Sequence, residues 1–198
     1  MEFSHLESSI FDTDTRSKQY INTLVNSMPL DGTAFLAPYV PVDAKVAEAA
    51  LSLANLKSDD ILCDLGCGDG RLLRQAPCGC IGVELDPHLI EFINADQKDD
   101  ITSGKLRLIE QDFLTVDLIG LGVTCLVLYL LPNALEKLGP NMAAWLLSSS
   151  ANRIVCIVYQ VPGWHPANSI EAGNSTSFMG GKRGVQYLYY YDVFSIPE

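Results

Sequence analysis

The amino-acid sequence predicts a single α/β domain in which a mostly parallel sheet is covered by helices on both faces. Two observations support this fold class. Segments with helical periodicity alternate with short apolar segments, which is typical of buried parallel strands joined by crossover helices. In addition, three glycines at alternate positions follow the first apolar segment, where a strand of such a fold turns into a helix.

Helices and strands alternate along most of the chain. A helix is predicted at residues 43–56, where apolar residues recur at helical spacing, and a second at 87–97. A third helical stretch at 133–150 contains Gly139-Pro140, which predicts a break. Strands are predicted at DILCDLG (60–66), CIGVEL (80–85), KLRLIEQD (105–112), GVTCLVLYLL (122–131) and NRIVCIVYQVP (152–162).

The two ends of the chain are less regular. The segment GVQYLYYYDVFSI (184–196) alternates in part and follows a stretch rich in Gly, Ser and Asn, so we predict an antiparallel strand at the edge of the sheet. Residues 1–30 have weak periodicity and are predicted to be an N-terminal extension, either partly disordered or forming a helix on the domain. Residues 31–198 then form one domain, which suits a chain of 198 residues that is 48% hydrophobic.

The overall charge restricts the expected partners. The chain has a formal net charge of −11, so its surface repels nucleic-acid phosphates and anionic membranes and attracts a basic protein segment or a cationic substrate. No apolar run is long enough to span a membrane, and the N-terminus is acidic where a presequence would be basic. These features predict a cytoplasmic or nuclear protein that does not bind nucleic acid. They do not indicate an oligomeric state.

The six cysteines are predicted to be reduced and structural. Cys63, Cys125 and Cys156 lie inside apolar strands, where a thiol packs like a small apolar side chain. The CGC sequence at 78–80 has no second cysteine pair or histidine cluster at zinc spacing. We therefore predict no metal site.

The glycine-rich turn lies in ILCDLGCGDG (61–70). The lack of side chains at Gly66, Gly68 and Gly70 would let backbone N–H groups approach a ligand closely at the carboxyl edge of the sheet. The spacing G-x-G-x-G differs from the G-x-G-x-x-G of dinucleotide-binding turns. Asp64 and Asp69 would also repel a diphosphate. The turn is therefore better suited to a ligand with an ammonium or sulfonium charge.

Two further acids are predicted at the ends of neighbouring strands. Glu84 ends the second strand, where a carboxylate can accept hydrogen bonds from both ribose hydroxyls, and Asp112 ends the third, where it can accept from an adenine amine. Taken alone, Glu84 or Asp86 is better explained as a helix cap or a solvated charge than as a cofactor ligand. Together with Asp64, the acids describe an adenosine that carries a cationic amino-acid tail, which is S-adenosylmethionine.

These motifs resemble those of the class I, seven-strand S-adenosylmethionine-dependent methyltransferases. DLGCGDGR (64–71) resembles motif I, GVELDP (82–87) resembles motif II, and EQDF (110–113) resembles the motif that contacts adenine, which adds Phe113 to the implied cofactor site. The resemblance extends over about residues 36–195 and implies a Rossmann-like domain of seven strands.

A narrower resemblance concerns the acceptor. APYVP (37–41) and LYLLP (128–132), together with motif I, are similar to the small lysine methyltransferases related to those acting on ATP-synthase c-subunit and adenine nucleotide translocase. This resemblance implies a protein substrate with an accessible lysine. Methylation of a small amine, and a non-catalytic partner protein that keeps the fold, are the alternatives.

The acceptor site is predicted at the ends of the fourth and fifth strands. Tyr129 stands where the family places the methyl acceptor, and Pro132 begins the next helix. Tyr39 lies in a loop bracketed by prolines that would fold over the cofactor. Trp164 follows the fifth strand at the same edge. Tyr129 and Tyr39 are the predicted catalytic residues, and both are equally well explained as wall or core aromatics.

Overall fold

A computed structural model describes residues 41–175 and 184–197 of the chain. These residues contain one seven-stranded sheet with the strand order β3-β2-β1-β4-β5-β7-β6. Strand β7 runs antiparallel to both of its neighbours, β5 and β6, and the other four strand pairs are parallel. The strands are β1 (Ile61–Leu65), β2 (Gly79–Glu84), β3 (Leu106–Glu110), β4 (Cys125–Leu128), β5 (Arg153–Ile157), β6 (Asn168–Ser175) and β7 (Gly184–Tyr191).

The helices in the described part of the chain connect and cover these strands. They are α1 (Ala44–Ala54), α2 (Arg71–Arg74), α3 (Pro87–Asp96), α4 (Lys98–Thr102) and α5 (Pro132–Ser148), with 3₁₀-helices at Phe113–Thr115 and Val193–Ser195. The predicted α/β fold class, with its parallel strands and reversed C-terminal strand, is confirmed. None of the helices within residues 41–175 and 184–197 has the length and apolar content needed to cross a membrane.

The sheet is buried on both faces, and β4 shows why the strands are apolar without a break. Cys125 and Val127 pack in one core cluster with α1, whereas Leu126 and Leu128 pack in a second cluster with α5. Because successive side chains of a strand point to opposite faces, a sheet covered on both faces needs apolar residues at every position. All six cysteines are buried free thiols, which for Cys63, Cys125 and Cys156 agrees with the prediction from their apolar strands.

Helix α5 continues through Pro140, so the predicted break at Gly139-Pro140 is wrong. Proline has no N–H to donate to the carbonyl oxygen of Glu136, four residues earlier. Both Pro140 and Glu136 are exposed, so water can hydrogen-bond to that carbonyl. The apolar stripe of Leu138, Met142 and Trp145, all fully buried, holds the helix against the sheet.

One edge of the sheet is β6, a strand that the sequence did not predict. The segment predicted as the edge strand is β7, and it lies between β5 and β6. Strand β6 pairs on one side only and has no clear alternation of apolar residues. Its register shifts between Glu171 and Gly173, where Gly173 has φ +99°. Polar composition and a bulge are typical of edge strands.

The amino-terminal edge of the sheet is held by the ion pair of Asp60 and Arg153. Arg153 Nη2 donates to Asp60 Oδ2 at 2.5 Å, and Arg153 Nε donates to the carbonyl oxygen of Ala54 at 2.6 Å. Asp60 Oδ1 accepts from Thr124 Oγ1 at 2.7 Å. Burial raises the pKa of Asp60, but the bonds from Arg153, the Lys57 backbone and Thr124 outweigh it and lower the pKa to about 2. This cluster joins the starts of β1, β4 and β5 to the end of α1.

Candidate active site

The glycine turn between β1 and α2 requires glycine at more than one position. Gly66 and Gly70 have φ +79° and +70°, in the left-handed region that side chains disfavour. A Cβ atom on Gly66 would lie 3.3 Å from Leu130 Cδ2 and 4.0 Å from Phe113 Cδ1. On Gly70 it would overlap the side-chain amide of Gln97, whose Nε2 donates to the Gly70 carbonyl oxygen at 3.0 Å. Gly70 therefore has a packing reason to be glycine.

The turn is hydrogen-bonded to the end of β2. The N–H groups of Gly66 and Cys67 both donate to the carbonyl oxygen of Val83, at 2.8 and 3.0 Å. The N–H of Gly68, whose φ is +58°, donates to Oε2 of Glu84 at 2.9 Å. The two predicted parts of the cofactor site, the glycine turn and the acid after β2, are thus in direct contact.

Glu84 is bound to backbone groups on both of its oxygens. Besides the bond from Gly68, its Oε1 accepts from the N–H groups of Leu85 and Asp86 at 2.8 and 3.0 Å. Asp86 is the cap of α3, because its Oδ1 accepts from His88 N at 2.8 Å. The helix-cap interpretation therefore applies to Asp86 and not to Glu84. A carboxylate has about four acceptor positions, so Glu84 keeps one for a further donor without breaking these three bonds.

Asp64 is a buried carboxyl group without a hydrogen-bond donor among the described residues. It lies near the end of β1 and is only 7% exposed. Burial, and then the negative charges of Glu84 and Asp69, raise its pKa to about 8. A buried carboxylate is costly unless a donor or a positive charge compensates it. A cationic ligand would supply that compensation, so the site fits the ammonium group of S-adenosylmethionine.

Asp69, the second acid of the turn, is already paired with Arg71. Arg71 Nε lies 3.0 Å from each carboxylate oxygen of Asp69, and Arg71 Nη2 donates to Oδ2 at 2.7 Å. Arg71 Nη1 also donates to the carbonyl oxygen of Val42 at 3.1 Å, which connects the turn to the segment before α1. The sequence suggested two carboxylates facing the ligand from this turn. The pairing explains Asp69 structurally, and its contact with the cofactor stays a prediction.

The segment after β3 lies beside the same turn. Gln111 N donates to the carbonyl oxygen of Glu84 at 3.0 Å, and the proximity of Phe113 to Gly66 brings its ring to the turn. Asp112 is exposed, and its Oδ1 accepts from Leu114 N at 2.9 Å, capping the 3₁₀-helix. The acids Asp64, Glu84 and Asp112 therefore lie at or next to the ends of three adjacent strands.

Leu85 is a residue of this edge that the sequence analysis did not single out. It follows Glu84 directly and is 46% exposed. An exposed leucine between two acids offers apolar surface on which the flat face of a base can pack. The sequence signal that could have identified Leu85 as a site residue was its position between Glu84 and Asp86.

The predicted acceptor residues do not share one environment. Tyr129 directly follows β4 and is half-buried, and burial together with the neighbouring Tyr159 raises its pKa. Pro132 is exposed at the start of α5. Trp164 is buried, edge-to-face with Tyr191 at 6.0 Å between ring centroids, which gives it a packing role; its contact with substrate stays a prediction. Tyr39 lies outside the described residues.

A seven-stranded sheet with one reversed strand, a glycine turn after β1 and acids at the ends of β1, β2 and β3 define a class I S-adenosylmethionine-dependent methyltransferase. Residues 64–168 match the family model described as the ANTKMT methyltransferase domain. The chain belongs to this family. It is also 31% identical over 157 residues to a protein-lysine N-methyltransferase from Saccharolobus islandicus (strain REY15A), a match that covers 77% of this chain and 92% of that protein.

Solved structures of methyltransferases share the fold. An RNA methyltransferase from Salinibacter ruber in complex with S-adenosyl-L-homocysteine is 26% identical, with a TM-score of 0.64 over 80% of this chain and 95% of that chain. A precorrin-6y C5,15-methyltransferase from Geobacter metallireducens GS-15 is 15% identical, with a TM-score of 0.57 over 82% and 95% of the two chains. The second likeness concerns the fold alone. The predicted cofactor, S-adenosylmethionine, is confirmed by the family and by the product bound in the first structure.

Proposed function

We propose that this protein is a protein-lysine N-methyltransferase. The observation that carries the proposal is the junction of Tyr129 and Leu130 after β4. Tyr129 is a half-buried aromatic residue at the predicted acceptor position, and the next residue, Leu130, packs against Gly66 of the glycine turn. The acceptor side and the cofactor side thus meet at this point. The similarity to the Saccharolobus islandicus protein-lysine N-methyltransferase supports lysine as the acceptor.

The cofactor would be held by residues at the ends of β1, β2 and β3. Asp64 would bind its ammonium group, Glu84 a ribose hydroxyl, Asp112 and Phe113 the adenine, and the backbone of Gly66 and Gly68 the amino-acid tail. When bound, S-adenosylmethionine supplies an electrophilic methyl group, whose S–CH₃ bond breaks as the N–CH₃ bond to the acceptor forms. The protein has little acid–base chemistry to perform, so alignment and exclusion of water are its main contributions.

The acceptor amine must be neutral when it reacts. A lysine side chain has a pKa of about 10.4 in water, and removal of water lowers the pKa of an amine because the charged form loses its hydration. The half-buried ring of Tyr129 and the apolar side chain of Leu130 would provide such an environment. The proton passes to solvent before the methyl group is transferred, and aromatic rings attract the ammonium form as it enters.

A protein substrate is also consistent with the charge of the chain. A net charge of −11 attracts a basic polypeptide segment and repels a nucleic acid. Methylation of a small amine is the alternative that uses the same chemistry. The cytoplasmic or nuclear location stays a prediction.

The proposal is tested by transfer of a labelled methyl group from S-adenosylmethionine into a fractionated cell extract. Label is expected in the protein fraction and not in the small-molecule or nucleic-acid fractions. The Gly68→Val variant, in which the turn is blocked, is the negative control. Label confined to small molecules would replace the proposal with the amine alternative. If the protein binds the cofactor in calorimetry but transfers label into no fraction, the result would contradict an enzymatic function on any acceptor in the extract.

A further inference from the structure

Val158, the residue after β5, has a backbone conformation that its side chain disfavours. Its φ is +71°, which is a strong outlier for a β-branched residue. The N–H of Tyr159 donates to the carbonyl oxygen of Ile157 at 2.9 Å, so Val158 is the central residue of a γ-turn with positive φ, a rare and strained turn. The N–H of Val158 donates to the carbonyl oxygen of Tyr187 on β7 at 2.8 Å. The neighbouring strand thus holds the turn in place.

The turn changes the face of the sheet to which Tyr159 belongs. In a regular strand, residues two apart lie on the same face. Here Ile157 and Val158 both pack with the core cluster that contains α1, whereas Tyr159 packs with the cluster that contains α5. Tyr129 packs with the first of these clusters. The two tyrosines therefore come from opposite faces of the sheet.

Tyr159 and Tyr129 lie at the same edge of the sheet. Strands β4 and β5 are parallel neighbours, with Leu128 opposite Cys156. Tyr129 is one residue beyond this pair and Tyr159 three, with the γ-turn between. The effect of Tyr159 on the pKa of Tyr129 also places the two side chains near each other. Both are only partly buried, so each has surface available to a ligand.

Strained conformations of this kind persist where the surrounding structure enforces them, and they cluster at functional sites. We propose that Tyr159 is an acceptor-positioning residue, which together with Tyr129 bounds the entry of the lysine side chain from the opposite face of the sheet. Its phenol oxygen accepts a hydrogen bond from the acceptor amine and directs the nitrogen lone pair toward the methyl group. This inference rests on the proposed function, because it assumes a long, cationic amine as the acceptor.

The test compares Tyr159→Phe with a matched control, Tyr190→Phe. Tyr190 is also half-buried, but it pairs with Val155 on β5, further from the carboxyl edge, and packs with the α1 cluster. Tyr159→Phe loses the hydrogen bond from the acceptor amine, whose nitrogen gains positive charge as the N–CH₃ bond forms, and is expected to reduce kcat/KM for the protein acceptor about tenfold. The Kd for S-adenosylmethionine and the midpoint of unfolding are expected to match those of Tyr190→Phe. If Tyr159 had a structural role alone, kcat/KM would change together with the Kd for S-adenosylmethionine and the midpoint of unfolding.

A second variant tests the γ-turn. Val158→Pro cannot adopt a positive φ and lacks the N–H that donates to Tyr187, so it breaks the turn and is expected to lower kcat/KM with cofactor affinity unchanged. Val158→Gly, which adopts a positive φ without strain, is the matched control and is expected to keep the activity. If the wild type methylates lysine and Tyr159→Phe turns over as fast as Tyr190→Phe, this inference is overturned and the proposed function stays intact. Wild-type protein that methylates no lysine would overturn the proposed function, and this inference with it.

Discussion

Oε2 of Glu84 accepts a hydrogen bond from the backbone N–H of Gly68 at 2.9 Å. The acid predicted to bind the ribose therefore also fixes the backbone of the glycine turn. A carboxylate accepts charge-assisted hydrogen bonds, which are stronger than neutral ones. Because the two groups are bonded directly, substitution of either is expected to disturb the binding of the cofactor to the other.

Gly68→Val is expected to abolish measurable binding of S-adenosylmethionine. A β-branched side chain at φ +58° strains the turn, and it occupies the approach of the ligand to the backbone. The control is Gly104→Val, since Gly104 has φ +79° in a turn before β3 and no atom lies within 4 Å of the position that its Cβ would take. Titration calorimetry gives the affinities. An equal loss of affinity in both variants would show that strain, and not the position of Gly68, is the cause.

Glu84→Ala is expected to weaken cofactor binding by about 1.5–3 kcal/mol, the range for hydrogen bonds to a charged group. The substitution removes the predicted ribose acceptor and the acceptor for three backbone N–H groups. Glu110→Ala is a matched control, because Glu110 is an exposed glutamate opposite Glu84 at the end of β3. A loss below about 0.5 kcal/mol in Glu84→Ala would mean that this carboxylate does not contact the cofactor.

Cofactor affinity is expected to rise with pH between 6 and 7.5. The pKa of Asp64 is about 8 in the free protein, so the carboxyl must lose its proton to bind an ammonium group. The affinity should therefore fall by up to about tenfold for each pH unit below 8. Asp64→Asn is expected to bind more weakly and without this pH dependence. Calorimetry in buffers of different ionisation enthalpy would detect the released proton; binding by the wild type without proton release would contradict the assignment.

The same shift makes a prediction for stability. The folded-state pKa of Asp64 lies above its unfolded value of about 3.9, so ionisation of this group opposes folding as the pH rises from about 4 to about 8. Asp64→Asn is therefore expected to increase the free energy of unfolding of the cofactor-free protein at pH 7. Denaturant titration at pH 5 and pH 7 measures the effect, which should be larger at pH 7. A variant less stable than wild type at pH 7 would show that Asp64 has a stabilising partner.

Asp60 is expected to have the opposite dependence on pH. Its pKa of about 2 lies below the unfolded value, so it contributes stability above about pH 4 that is lost as the pH falls through 2. Asp60→Asn is expected to lower the free energy of unfolding at pH 7 by about 2 kcal/mol. Asp59→Asn is the control, since Asp59 is an exposed neighbour. Equal stabilities of the two variants would contradict the role given to the ion pair with Arg153.

Tyr129→Ala is expected to lower kcat at least about tenfold with little change in the Kd for S-adenosylmethionine, because the residue lies on the acceptor side. The wild-type rate should rise with pH as the acceptor amine loses its proton. Tyr129 itself stays neutral in this range, since its pKa is raised above its ordinary value. Tyr39→Ala is expected to behave likewise. Kinetics between pH 7 and 9 measure both effects; a variant that loses cofactor affinity and rate together would place Tyr129 in the cofactor site.

The fold and the cofactor side of the site followed from the sequence because their signals are local. Apolar segments revealed β1 to β5, and the glycine turn with its acids revealed the ligand. Strand β6 was missed because an edge strand needs no apolar alternation. Asp69 and Arg71 are only two residues apart in the sequence, but their pairing was not predicted because it depends on the rotamers of both side chains. Tyr159 was missed because its position depends on a turn at Val158, whose N–H donates a hydrogen bond to a strand about thirty residues later.

The most direct test of the central claim is the location of the transferred methyl group. The protein is incubated with cell extract and S-adenosylmethionine that carries a trideuterated methyl group, and the protein fraction is analysed by tandem mass spectrometry. The account predicts the label on the side-chain nitrogen of lysine in at least one protein, with none in the reaction of Gly68→Val. Label on oxygen, carbon or a small amine, with no labelled lysine, would contradict the claim that this enzyme is a protein-lysine methyltransferase.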